Sequence, residues 1–322
     1  MFAANFADRI MQDFLYLRIN PLFEDYLSPK MYSNRKGRGT LYAVMNVVKD
    51  MREITCNYTE NAWIWKFDLK GFFMSIDKRI LCKKLLAFIE ERYHEKDKDA
   101  VLWLTEKVIM HCPQKNCYRK TPLRTWEGLR ADKSLFTQDD YHGLPIGNIM
   151  SQICANFLLM DMVVYLEKNG FECVTQYVDD CVVLSRDKEK ILGFMPRFRA
   201  WLWSELGITL HPNKCYIQHY TKGVSFVGGI IKPHRVYVSK RTAGIFLSKM
   251  RGIARSVAEP FEVLATVNSY LGMMQHFCSY SVRKAGALLL CESFGARVAF
   301  TAGFNSMLLN YEDKQIFRRL NI

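Results

Sequence analysis

Two apolar segments carry carboxylates where a buried strand has no room for an unpaired charge, and they limit what this chain can become more than any other feature. WIWKFDL (63–69) ends on Asp68-Leu69, and VTQYVDDCVVLS (174–185) holds Asp179 and Asp180 at its middle. Their aromatic and β-branched content marks both as strands. Burying a lone carboxylate costs several kcal/mol even after relaxation, so these acids need a reason. If the two strands are neighbours in one sheet, three carboxylates converge on a small volume. Their repulsion is then tolerable with a hard divalent cation between them. The plainer alternative is a solvated hairpin tip, because paired aspartates are ordinary turn residues.

Charge points to a polyanionic partner. The 322 residues carry 45 Lys and Arg against 32 Asp and Glu, a net charge of +13, and positions 232–322 hold 13 basic and 5 acidic residues. Such a surplus is typical of chains that meet nucleic acid, although a basic face can also be only solvated surface. A composition of 49% hydrophobic and 24% charged residues excludes a disordered protein. Ten irregularly spaced cysteines, several in apolar runs and without a signal peptide, read as reduced core residues of a cytoplasmic protein. His111, Cys112 and Cys117 lack the second ligand pair that a zinc site wants. Asn156 and Asp161 interrupt the best candidate for a membrane span, so no membrane is expected.

Periodicity gives the order of elements. Residues 6–26 place apolar side chains at helical spacing with an end near Asn20-Pro21, and the basic turn SNRKGRGT (33–40) opens a second helix. A strand, a turn and a helix follow from 62, with Asp77 at the helix N-cap position. Another helix is expected over 97–110, a long loop or surface hairpin over 111–142, and an all-round apolar helix from Ile149 to Leu166. FECVTQYV and DCVVLSR form a hairpin, 188–206 a helix, HPNKCYIQHY and VSFVGGIIKP short strands, and 240 onward is helical and basic. This alternation is an α+β pattern.

The ordered set FDLKGFF (67–73), GLPIGNIMSQICAN (143–156), YVDD (177–180), LGITLHPNK (206–214) and VSFVGGIIKP (224–233) resembles the successive palm motifs of the reverse transcriptases. SNRKGRGT is similar to the basic turn ahead of them in bacterial members. Within the family the chain most resembles the bacterial and phage enzymes of diversity-generating retroelements. Where most members carry P-Q-G and then S-P, it has Ile146 for the glutamine and Gln152 for the proline. The segment KNCYRKTPLRTWEGLRADKSLF (115–136) looks like the long insert of Bacteroidetes-type members.

The resemblance implies a right-hand polymerase fold: partial fingers over 1–60, a palm over 61–239 with an antiparallel sheet, and a helical basic thumb over 240–322. The palm would contain the inserted segment 97–142 and a primer grip at 224–233. Asp68, Asp179 and Asp180, with the carbonyl of Leu69, would hold two Mg²⁺ ions, for which Mn²⁺ can substitute. Phe73 matches the steric gate against a 2′-hydroxyl, and Pro145, Ile146, Gly147 and Gln152 fall at the nucleotide. Lys214 matches the candidate general acid. Val227, Gly228 and Gly229 match the primer grip, and Arg35, Lys36 and Arg38 suit the template backbone or the triphosphate. The implied partners are an RNA template, a DNA or RNA primer, dNTPs and a small basic accessory protein. In relatives an upstream basic strand precedes the segment MFAANFADRI, so part of the fingers is expected to be missing. Nothing resembles an RNase H, nuclease, integrase or maturase tail. An antiphage-defence or other bacterial reverse transcriptase, and a non-catalytic nucleic-acid-binding scaffold, remain alternatives.

Overall fold

A computed structural model describes residues 2, 4–310 and 312–315. The chain divides into two compact units, Met1–His219 and Tyr220–Ile322.

The first unit opens with α1 (Phe6–Tyr26), where Asn5 caps the helix by accepting from the Asp8 N–H at 2.8 Å. The helix does not end at Pro21 as expected but continues a full turn beyond it. Proline removes the hydrogen bond to the Leu17 carbonyl, and Leu17 is 71% exposed, so water can take that bond. α2 (Thr40–Ile54) follows the basic turn, then β1 (Trp63–Asp68), a single turn α3 (Phe72–Ser75), and the antiparallel pair α4 (Lys78–Arg92) and α5 (Lys98–Met110). The 111–142 segment holds four short 3₁₀ turns and no strand, so it is a loop and not a hairpin. α6 (Ile149–Lys168), the hairpin β2 (Cys173–Tyr177) and β3 (Asp180–Ser185), α7 (Lys188–Leu206) and β4 (Tyr216–His219) complete the unit.

The sheet has the order β2-β3-β1-β4 and is antiparallel throughout. Strand alternation sorts its side chains. Trp65, Phe67, Cys181 and Val183 enter a core shared with Leu158 and Leu159 of α6 and Phe198 and Leu202 of α7. Thr175 and Val182 take the other face, where Asn46 of α2 donates to the Thr175 hydroxyl at 2.9 Å. Lys66, Asp68 and Asp180 lie on that same face by alternation. α6 is long and apolar enough to cross a membrane by length and composition, yet 72% of that window is buried inside the unit. Its two polar interruptions are answered there: Asn156 by Ser33 and Asp161 by Lys84.

The second unit starts with an antiparallel meander, β5 (Val224–Phe226), β6 (Gly229–Lys232) and β7 (Arg235–Val238). α8 (Lys240–Ala254), α9 (Pro260–Met274) and α10 (Tyr280–Phe294) then enclose Phe246, Met250, Val267, Leu271 and Leu290. Val238 of the meander belongs to this core, and the compact unit takes in the meander together with the helices. The C-terminal part is not purely helical as expected: β8 (Val298–Phe300) and β9 (Met307–Leu309) form a hairpin. Val298, Met307 and Leu309 reach the core while Ala299 and Leu308 alternate outward, a pattern too short to stand out in sequence.

Candidate active site

Because β1 and β3 are neighbours, Asp68 and Asp180 become direct cross-strand partners, and Asp179 sits in the two-residue turn between Tyr177 and Asp180. Like charges placed opposite each other are unfavourable, and two lysines answer them. Lys214 Nζ lies 2.7 Å from Asp68 Oδ2, and Lys66 Nζ lies 2.5 Å from Asp180 Oδ1. Burial pushes the Asp180 carboxyl up to about 6 against the opposing pull of Lys66. Burial, then the charge of Asp68, also raises Asp179. The Asp68 carboxylate holds the Lys214 ammonium above its ordinary range. Lys66 was not among the residues the sequence singled out. Its signal was present, since a lysine two positions before Asp68 in an apolar strand must share its face.

The three aspartates offer oxygen donors only, the set that a hard divalent cation takes. Two of them have carboxyls shifted upward by burial and mutual repulsion, so the cluster is short of positive charge. As they stand, no three His, Cys, Asp or Glu side chains among the described residues surround a single point. Asp68 and Asp180 are turned to their lysines instead. The donor chemistry fits a divalent ion, and the two ammonium groups supply the positive charge beside Asp68 and Asp180. Leu69 donates its N–H to the Asp179 carbonyl at 3.1 Å. Its bridge to Leu210 runs through the Asp68 and Thr209 carbonyls and leaves the Leu69 carbonyl out of the ladder.

Beside the carboxylates, Gly71 takes φ 54°, and a Cβ there would lie 2.8 Å from the Asp132 carbonyl oxygen. The 131–133 turn of the long loop is thus seated directly on the β1–α3 connection. Leu144 donates to the Phe73 carbonyl at 2.8 Å and Gly143 to the Ile76 carbonyl at 2.9 Å, which stitches the GLPIGN box to α3. Phe73 and the box are therefore brought together. Pro145 is buried, Ile146 is 42% exposed with its carbonyl accepting from the Phe2 N–H, Gly147 is exposed, and Gln152 is half-buried in the first turn of α6. Asp77 caps α4 through the Arg79 N–H at 2.8 Å, as its position predicts. In the His-Cys cluster, the His111 carbonyl and Cys112 Sγ accept from the fully buried Lys78 ammonium at 3.0 and 3.4 Å.

The basic turn corrects one expectation. Arg35 does not face a template: its guanidinium is buried, pairs with Glu24 at 2.9 Å, and donates to the carbonyls of Glu24, Leu27, Ser28 and Met31. Lys36 is exposed. Arg38 is half-exposed, donates to the Pro29 carbonyl and lies over the Tyr32 ring at 5.8 Å.

In the second unit, Val227 and Gly228 form the β5–β6 turn at φ 36° and 90°, and the Ser239 N–H fixes the Gly228 carbonyl at 2.9 Å. Gly229 opens β6 opposite Phe226. Along α8 runs a groove of about 840 Å³ lined by Lys240, Arg241, Gly244, Ser248, Lys249 and Gly252 among others. A glycine inside a helix costs roughly 0.5–1 kcal/mol relative to alanine. Yet nothing lies within 4 Å of where a Cβ would sit on Gly244 or Gly252, so the unit's own packing does not require them.

No curated protein matches the chain. Among solved structures, apo telomerase from Candida tropicalis aligns with a TM-score of 0.50 at 12% identity, over 89% of this chain and 51% of that one. Telomerase from Candida albicans in complex with a TWJ fragment of telomeric RNA gives 0.46 at 13% identity, over 88% and 51%. The chain spans about half the length of these proteins, and likeness at such identity concerns the fold alone. That fold is the α+β polymerase architecture expected from the ordered motifs. Residues 2–231, which take in both acid-bearing strands, the GLPIGN box and Lys214, match the reverse transcriptase (RNA-dependent DNA polymerase) family, and the chain belongs to that family.

Proposed function

We propose that this chain is the RNA-directed DNA polymerase of a diversity-generating retroelement, working in the cytoplasm on an RNA template with a DNA or RNA primer and dNTPs, assisted by a small basic accessory protein. The observation that carries the polymerase reading is the cross-strand pairing of Asp68 with Asp180, with Asp179 one residue away in the turn. The retroelement reading rests on Ile146, which is half-exposed where most of the family carries a glutamine.

Asp68, Asp179, Asp180 and the Leu69 carbonyl would hold Mg²⁺ or Mn²⁺. When bound, two such ions would acidify the primer 3′-hydroxyl and neutralise charge on the triphosphate. The chain's own groups do the rest. Phe73, whose carbonyl is held to the box by the Leu144 N–H, is the residue assigned to exclude a 2′-hydroxyl and so to select deoxynucleotides. The primer 3′-hydroxyl gives its proton to solvent and its oxygen bonds to the α-phosphorus as the bond to pyrophosphate breaks, while Lys214 passes a proton to the departing oxygen and is reprotonated from solvent. Replacing Lys214 by alanine should therefore lower kcat about 100-fold and leave the KM for dNTP nearly unchanged. A rise in KM with kcat intact would reduce Lys214 to a binding group. In the second unit, the missing side chains of Gly244 and Gly252 let a duplex backbone approach α8, with Lys240, Arg241 and Lys249 placed for its phosphates.

Primer extension on an RNA template with Mg²⁺, run with dNTPs and separately with rNTPs, tests the polymerase reading. DNA synthesis restricted to dNTPs is expected, and duplex binding without synthesis would favour a scaffold. Sequencing the products tests the finer reading. An exposed aliphatic side chain offers no hydrogen bond beside the nucleotide, so errors opposite template adenines should be frequent and should fall in Ile146→Gln. Equal error spectra for the two proteins would remove the argument from Ile146.

A further inference from the structure

The turn that carries Asp179 is held in a conformation its own sequence does not favour. Val178 has φ 54°, the left-handed region that β-branched residues avoid and that glycine usually fills at this position of a two-residue hairpin. Something outside the turn must impose it, because strained backbone persists only where its surroundings over-determine it.

Both peptide groups around Val178 are gripped. Its N–H donates to Ser33 Oγ at 3.1 Å, and its carbonyl accepts from Gln176 Nε2 at 2.5 Å. Ser33 is itself fixed: its hydroxyl donates to Asn156 Oδ1 at 2.8 Å, and Asn156 Nδ2 returns a bond to the Ser33 carbonyl at 2.7 Å. Ser33 and Asn156 are each 1% exposed. Asn156 comes from α6, in the apolar heart of the unit, so an amide there needs a polar duty. Ser33 comes from the segment before α2, which lies along the edge of β2: Gln176 donates to the Lys30 carbonyl at 3.0 Å and accepts at its own carbonyl from the Tyr32 N–H at 3.1 Å. One hydroxyl thus ties α6, the β2 edge and the catalytic turn together.

We propose that the Ser33–Asn156 pair is a buried latch that touches no substrate, holds Val178 left-handed and thereby aims the Asp179 carboxylate. Its relevance to catalysis rests on the reading of Asp179 as a metal-binding acid. Ser33 and Asn156 are positioning residues. Without the Ser33 hydroxyl the turn relaxes toward the conformations valine prefers, and Asp179 swings away from Asp68 and Asp180. Glycine at 178 needs no latch, because it adopts positive φ at no steric cost.

The test compares Ser33→Ala, Ser33→Thr, Val178→Gly and the double variant Ser33→Ala with Val178→Gly, using full-length protein. In primer extension, Ser33→Ala should lose about 30-fold in kcat with the KM for dNTP unchanged. Ser33→Thr, which keeps the hydroxyl, should stay near wild type, and the double variant should regain most of the loss. Hydrogen exchange gives a readout independent of activity: the peptide spanning 174–181 should exchange at least tenfold faster in Ser33→Ala, with peptides of α10 unchanged. Unchanged exchange at 174–181, or a loss of kcat that Val178→Gly does not relieve, would overturn the latch. A wild-type protein that makes no DNA would instead sink the polymerase reading, while the exchange measurement would still decide whether Ser33 holds the turn.

Discussion

Exchanging Asp179 for asparagine should lower primer extension by about 10³-fold or more and at the same time make the metal-free protein more stable. Asparagine keeps the shape of the side chain and removes its charge. A carboxylate that acts on charge developing during phosphoryl transfer contributes to the transition state, so kcat and kcat/KM should fall together. A loss of that size corresponds to about 4 kcal/mol of barrier. The gain in stability has the opposite origin. Lys66 and Lys214 are engaged with Asp180 and Asp68, while Asp179 is half-buried and repelled by Asp68. Its folded-state carboxyl is raised above the ordinary 3.8, so the wild-type fold binds that proton more tightly than the unfolded chain does. The stability this confers is complete below 3.8 and is lost as pH rises through the folded value. Asparagine does not titrate, so its advantage should be largest at neutral pH and should vanish toward pH 4. Thermal melts in EDTA at pH 7.5 and 4.5 should show a gain of about 2 °C at the higher pH and a smaller one at the lower. A lower melting point at pH 7.5, or extension that survives, would mean that Asp179 is not a strained acid of the site.

The same residues show why part of the site was legible in sequence. Asp68, Asp179 and Asp180 stand out because charge inside an apolar strand is costly, and two such strands in one chain suggest a meeting point. Lys66 obeyed the same alternation but was hidden by the habit of reading lysine as surface. Asp77 was readable as a cap because capping is local, decided within three residues. Ser33 and Asn156 could not be paired from sequence, since 123 positions separate them and nothing in either neighbourhood encodes the other. The helix through Pro21 and the β8–β9 hairpin were missed for a related reason. Solvation of one exposed carbonyl and burial of three side chains in a distant core are tertiary effects that local propensity does not contain.

Arg35 is the sharpest case of charge misread as function, and it yields the second large effect. A basic, glycine-bearing turn ahead of a polymerase palm invites assignment to phosphates, and Lys36 and Arg38 at its exposed side remain suited to that. Arg35 instead points inward and spends its planar fork on four backbone carbonyls and Glu24. Those carbonyls belong to the segment leading to Ser33, so the guanidinium organises the strip of chain that reaches the turn carrying Asp179. Replacing Arg35 by alanine leaves the half-buried Glu24 carboxylate and several backbone acceptors without their donor, a loss of about 3 kcal/mol. For a unit of this size that is roughly 6–12 °C in melting temperature. Lysine should not restore it, because three tetrahedral donors cannot reproduce the fork. A phosphate contact behaves differently: its removal weakens binding uniformly and lowers the slope of log affinity against log salt by about 1, with the fold intact. Lys36→Ala should show that second pattern and Arg35→Ala the first. Melting curves and salt-dependent binding to an RNA–DNA duplex, measured on both variants, separate the two. An unchanged melting point with a reduced salt slope in Arg35→Ala would return that arginine to the nucleic acid.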